Sequence, residues 1–173
     1  MVFYAYGRNI DSPAAVLRTM NDHLIGLLKE ERFVTAIYAV ADRKSLALTY
    51  AAAGHPPPLW LHRRSGIVET LDAGGAMIGV TQEPDFDEHT VHLAPGDTIL
   101  FYTDGLTEAR NRERELFGRQ RIAAVLRSQA GAAADSLLNA LLDRLHGFRG
   151  GQAAEDDTTC IALGIGPPDA PTL

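Results

Sequence analysis

The residues with chemical potential in this sequence are oxygen-bearing side chains at the ends of apolar runs. Residues 98–103, Thr-Ile-Leu-Phe-Tyr-Thr, are a β-branched and aromatic run that Asp104-Gly105 stops. A sheet would hold the carboxylate at the end of this strand, and the glycine lets the backbone turn away or a ligand approach closely. Asp104 is therefore a candidate metal ligand. Asp-Gly is also a common turn pair, and that reading stays open. A second acidic group, Glu155-Asp156-Asp157, leads into the run of Cys160, Ile161, Leu163 and Ile165. One carboxylate leaves a strand and the other group enters one, so the two share a site if the strands are neighbours. Oxygen donors without a histidine or cysteine set select a hard cation, Mg²⁺ or Mn²⁺, over zinc.

The other reactive side chains offer less. His55, in the rigid loop Gly54-His55-Pro56-Pro57-Pro58, is either a ligand or proton shuttle or a ring bonded to its own loop backbone. His89 and His92 are three apart in a strand-like run, which puts their rings on opposite faces and excludes a paired zinc site. The single cysteine, Cys160, excludes an internal disulfide, fits a reducing compartment and reads as a small buried hydrophobe. Residues 72–79 are glycine-rich but lack the lysine and helix start of a phosphate-cradling loop.

Several elements must position these groups. Asp11-Ser12-Pro13 starts a helix with Ser12 as N-cap, and Val16, Leu17, Met20, Leu24, Leu27 and Leu28 give it one apolar face over four turns. Residues 33–41 and 46–53 read as a hairpin across Asp42-Arg43-Lys44-Ser45, and residues 59–62 and 67–71 as a second one across Arg64-Ser65-Gly66. Residues 1–6 are short and apolar. Residues 119–128 and 134–146 are helical; Leu137, Leu138, Leu141, Leu142 and Leu145 form the second helix's packing face, and Gly147 is its expected stop. The proline-rich stretch 167–173 reads as a disordered tail.

With 173 residues, 46% hydrophobic and 22% charged, the chain fits one soluble globular domain, placed at 1–166. A formal charge of −6 offers no basic field for a phosphate backbone, so no nucleic-acid partner is expected. No apolar run approaches membrane-spanning length and no leader is recognisable, so a cytoplasmic protein with no membrane association is expected.

Six motifs in order carry a resemblance: Phe33-Val-Thr-Ala, Ala53-Gly-His-Pro-Pro-Pro, Leu93-Ala-Pro-Gly-Asp, Tyr102-Thr-Asp-Gly-Leu-Thr-Glu-Ala, Phe117-Gly and Asp156-Asp-Thr-Thr. Together they make residues 14–165 resemble the SpoIIE/RsbU-type serine phosphatases of the metal-dependent protein phosphatase 2C (PP2C) superfamily. The resemblance implies an α+β fold, a β-sandwich flanked by helices. It also implies two Mn²⁺ or Mg²⁺ ions whose bridging water attacks a phosphoserine or phosphothreonine. By motif match Asp104 and Asp156 are metal ligands, while Asp157, Gly105 and His55 shape their surroundings; no side chain is assigned as a separate catalytic group. The implied substrate is a phosphoprotein such as an anti-sigma-factor antagonist.

The family's upstream Asp after a glycine pair, and its metal-bridging Asp-x-x-Gly-x-Gly segment, do not precede residue 14. The expected fold is thus an N-terminally truncated one with a weak, partial metal site. Its open sheet edge is expected to be covered by a second copy in a homodimer or by residues 1–10. An inactive, phosphatase-like interaction module is the alternative. The haloacid-dehalogenase type of phosphatase is rejected, because Thr103-Asp104-Gly105 lacks that family's second aspartate.

Overall fold

A computed structural model of the chain describes residues 12–28 and 32–166. The expectations for residues 1–11 and for the tail at 167–173 lie outside the described residues. The backbone divides into two compact units, Met1–Pro57 with Asp72–Leu93, and Pro58–Leu71 with Ala94–Leu173.

The first unit opens with helix α1, Pro13–Leu24, whose N-cap is Ser12. The Ser12 hydroxyl accepts from the Ala15 amide (3.2 Å) and donates to Glu88 Oε2 (2.6 Å); the same carboxylate takes the Ala14 amide (3.0 Å). Two of the first-turn amides that a helix leaves without partners are thereby satisfied. Val16, Leu17 and Met20 are buried as the spacing predicts, but the helix ends at Leu24 and Leu27 is 76% exposed. The apolar face therefore spans three turns, not four. Residues 25–28 are turn and bend, so the helical period that would place Leu27 with Leu17 and Met20 no longer holds.

Strands β1, Ala36–Asp42, and β2, Ala47–Ala53, form the first expected hairpin, in the register Asp42↔Ala47. Asp42 Oδ1 accepts the amides of Ser45 (3.0 Å) and Lys44 (2.7 Å), and these bonds hold its carboxyl below the usual range. Strand β5, Glu88–His92, completes this antiparallel sheet in the order β1-β2-β5. Leu48 and Tyr50 are buried, and so are Ala51, Ala52 and Ala53. Ala51 and Ala53 pack with α1 residues, Ile78 and Phe86, and their small side chains let that layer lie close. Gly75 explains the glycine-rich loop: a Cβ there would strike the Ala52 carbonyl and the Phe86 ring. What approaches this loop is protein backbone.

The second unit holds β3, Leu59–Leu61, β4, Val68–Thr70, β6, Thr98–Tyr102, and β7, Cys160–Gly164, in an antiparallel sheet ordered β4-β3-β6-β7. The one-turn helix α2, Asp104–Thr107, follows β6; α3, Gly118–Ser128, and α4, Ala134–Arg149, precede β7. Leu100, Tyr102, Leu106, Phe117, Ile122, Leu126 and α4's Leu137, Leu141 and Leu145 form its core. Of the expected packing face, Leu138 packs partly buried against this core, whereas Leu142, off the i, i+4, i+8 row through Leu137, is 46% exposed. Helix α4 also runs through Gly147 to Arg149, where Gly150 caps it in the left-handed conformation at φ 57°. Gly147 lies in the helix interior; the stop falls three residues later, where positive φ is required.

The turn into β6 is built on Asp97, a carboxylate only 3% exposed. Its Oδ2 accepts from Trp60 Nε1 and the Ala94 amide (both 2.9 Å), and its Oδ1 from the Arg63 amide (3.0 Å). Three donors account for a buried charge that would otherwise be costly.

Candidate functional site

The register Tyr102↔Cys160 joins the end of β6 to the start of β7, and the pairing continues past both strands. The Thr103 amide donates to the Thr159 carbonyl (3.1 Å), Thr103 Oγ1 donates to the Asp157 carbonyl (3.1 Å) and the Thr159 amide donates to Thr103 Oγ1 (3.0 Å). Thr103 is the N-cap residue of α2 but makes no side-chain cap bond; its hydroxyl is engaged with the segment leading into β7. Gly105 is the next contact. A Cβ there would run into the Asp157 carbonyl oxygen, so Asp104 is followed by glycine because another backbone lies against that position.

The two acidic segments thus meet at one end of the sheet, and Asp104 starts α2. Its Oδ1 accepts from the Gly105 amide (3.0 Å), and Asp156 Oδ1 accepts from the Asp157 amide (2.7 Å). Beside Asp156 lies a hollow of about 110 Å³, lined among others by Gly105, Glu108, Arg110, Arg149 and Glu155. Asp104 and Asp157 do not line it. Arg149 Nη2 donates to Thr158 Oγ1 (3.3 Å), and Arg110 Nε stands 3.7 Å from Glu155 Oε2. His55 belongs to the first unit, where its Nδ1 lies 3.4 Å from Thr35 Oγ1.

Glu108, Arg110 and Arg149 are lining residues that sequence reasoning missed. Glu108 had a signal, since it stands four positions after Asp104 in a quoted motif, on the same side of a helical turn. Arg149 had none: it lines the hollow as the last residue of α4, which runs two residues past Gly147. Burial of Cys160, the first residue of β7, pushes its thiol up to about 11.

Carboxylate oxygens are the right donors for a hard cation. Among the described residues, however, no three histidine, cysteine, aspartate or glutamate side chains converge to hold a metal ion. A hard cation takes about six oxygens, so Asp104 and Asp156 do not constitute a complete centre.

The family model for Stage II sporulation protein E (SpoIIE) matches residues 1–166. The phosphoserine phosphatase RsbU of Bacillus subtilis is 28% identical over 151 residues, which cover 87% of this chain and 44% of that protein. The SiaA-PP2C domain of Pseudomonas aeruginosa superposes with a TM-score of 0.78 at 26% identity, over 88% of this chain and 61% of that one. The Mn-presoaked phosphatase domain of SpoIIE from Bacillus subtilis gives a TM-score of 0.66 at 18% identity, over 99% of this chain and 74% of that one. The chain spans less than half the length of the curated relatives it matches. The mixed helices and antiparallel sheets are those of an α+β, PP2C-like fold, as the motifs imply.

Proposed function

Because the chain belongs to the SpoIIE family of PP2C-type phosphatases, we propose that it is the Asp104- and Asp156-bearing part of a divalent-metal-dependent phosphoserine phosphatase. Its substrate is a phosphorylated regulatory protein of the anti-sigma-factor-antagonist type. The observation that carries the reading is the continuation of the β6–β7 pairing through Thr103 and Thr159, which brings both acidic segments to one sheet end.

A Mn²⁺ or Mg²⁺ pair supplies acidification of water and neutralisation of phosphoryl charge in such enzymes. Asp104 and Asp156 would be the part of the metal shell that this chain contributes. Asp157 and Gly105 fix the backbone between them. Arg110 and Arg149 place positive charge around the hollow beside Asp156, where a phosphoryl group would need it.

Manganese-dependent phosphate release from a phosphoserine protein tests this reading. The 173-residue polypeptide is expected to bind Mn²⁺ weakly and turn over very slowly. A polypeptide with the upstream strands of a SpoIIE-type domain joined ahead of residue 1 is expected to be active, and to lose activity on Asp104→Asn or Asp156→Asn. Full activity in the 173-residue chain, or retention of activity in both variants, would overturn the ligand assignment. An inert extended polypeptide would favour the interaction-module reading.

A further inference from the structure

Next to the hollow beside Asp156, and sharing Arg110 and Glu155 with it, is a second one of about 210 Å³ that Asn111, Arg112, Arg114 and Gln152 also line. Three arginines within five residues line it with one carboxylate, Glu155, on a chain whose formal charge is −6; Glu113, in the same five residues, is not among its lining. The turn that presents them is tightly made. Arg110 bridges Leu116, the Asn111 amide donates to the Glu115 carbonyl (3.1 Å), and Asn111 Oδ1 accepts the Glu115 amide (2.8 Å).

Within this turn Arg114 stands at φ 64°, the left-handed region that favours glycine or asparagine. A strained backbone under a long cationic side chain points to a use for that side chain. Arg112 spends only Nε, on the Gly150 carbonyl (3.0 Å). Its two terminal nitrogens and the guanidinium of Arg114 have no partner among the described residues. Arg110 donates from Nη1 to the Arg114 carbonyl (3.0 Å), and its Glu155 pair is long and exposed, so an incoming carboxylate can displace Glu155 at little cost.

We propose that this arginine-lined hollow docks acidic residues flanking the substrate's phosphoserine, a specificity surface that rests on the phosphatase reading above. Guanidinium forks match carboxylates in pairs of hydrogen bonds. A local cluster of this size takes one or two carboxylates, while the acidic remainder of the chain repels an extended polyanion.

The test is fluorescence anisotropy with the 173-residue chain in EDTA, where binding is read without turnover. Three labelled peptides are used: a phosphoserine with Asp and Glu flanks, the same with Asn and Gln flanks, and the acidic peptide without phosphate. The acidic phosphopeptide is expected to bind roughly five- to tenfold tighter than the neutral one at about 50 mM salt, the gap closing toward about 0.5 M. Arg114→Asn, which suits the left-handed backbone, should cut that preference roughly threefold, and Arg114→Lys should keep most of it. Equal affinity for acidic and neutral flanks overturns the proposal, as does equally tight binding of a thymidine oligonucleotide. Acid preference in a chain whose extended form releases no phosphate would keep the docking surface and remove the phosphatase reading. Phosphate release without acid preference would do the reverse.

Discussion

Replacing Gly105 with alanine is the sharpest probe of how the two acidic segments are held together. The added Cβ would run into the Asp157 carbonyl oxygen, with the Asp157 carbonyl carbon at 2.9 Å and Thr158 Oγ1 at 3.4 Å. The obstacle is backbone, so no rotamer change relieves it. Either α2 moves away or residues 157–159 do, and both movements stretch the bonds that Thr103 Oγ1 makes to the Asp157 carbonyl and the Thr159 amide. Overpacking of this kind costs about 1–3 kcal/mol. Each weakened hydrogen bond adds up to about 1 kcal/mol. Against this, alanine restricts the unfolded chain and favours the helical turn by about 0.4–1 kcal/mol. The balance is a destabilisation of about 1–3 kcal/mol, and for a chain of this length that lowers Tm by roughly 3–10 °C. Urea titration measures it as a lower midpoint at unchanged slope. Gly147→Ala is the matched control: it lies inside α4 with nothing within 4 Å of its Cβ, so it should stabilise by about 0.5–1 kcal/mol. A Gly105→Ala chain as stable as the native one would refute the close approach and, with it, the argument that the Asp-Gly pair is dictated by Asp157.

Other outcomes follow from the same structure. Asp97→Ala should cost roughly 2–4 kcal/mol by urea titration, because Trp60 Nε1 and the amides of Arg63 and Ala94 lose their acceptor. Gly150→Ala should lower stability by about 1 kcal/mol, because it places a side chain at the positive-φ cap of α4. Cys160 is raised on folding from 9.0 to about 11, so the folded state holds the proton more tightly than the unfolded one. Its stabilising contribution is full below pH 9 and is lost as pH rises through 11, and native Cys160 should react slowly with a disulfide reagent at pH 8 and quickly in denaturant. The proposed homodimer should give twice the monomer mass in light scattering; a monomer at high concentration would count against pairing through an exposed edge such as β7, where Ile161 is 59% exposed.

The elements legible in the sequence were those written in local patterns. Both hairpins, the Ser12 cap and the β6 and β7 runs stood in alternation, capping chemistry and turn residues, which depend on near neighbours only. The errors fell where a distant contact decides. Leu27 fits the helical period, but the chain leaves the helix before it. Gly147 resembles a stop, yet it sits on an exposed helix surface where a missing Cβ costs little, and the left-handed residue is Gly150. Asp97 belongs to a quoted motif, but only the folded turn reveals its three donors, two of them from the β3–β4 hairpin.

The candidate site divides along the same line. Asp104 and Asp156 could be singled out because an acidic residue at the end of an apolar run is a local pattern. That their two segments meet could not, since it depends on which strands pair: β6 joins β7 across 57 residues that include three helices. What secures the juxtaposition is backbone and hydroxyl chemistry at Thr103, Gly105, Asp157 and Thr159, not an interaction between the carboxylates. Each carboxylate spends one oxygen on the amide that follows it. The β6–β7 pairing positions the acidic segments independently of the proposed metal ligation. Geometry of the sheet end and completeness of the metal shell are therefore separable: variants at Gly105 or Thr103 should perturb folding and site together, while Asp104→Asn and Asp156→Asn should alter cation binding with the fold intact.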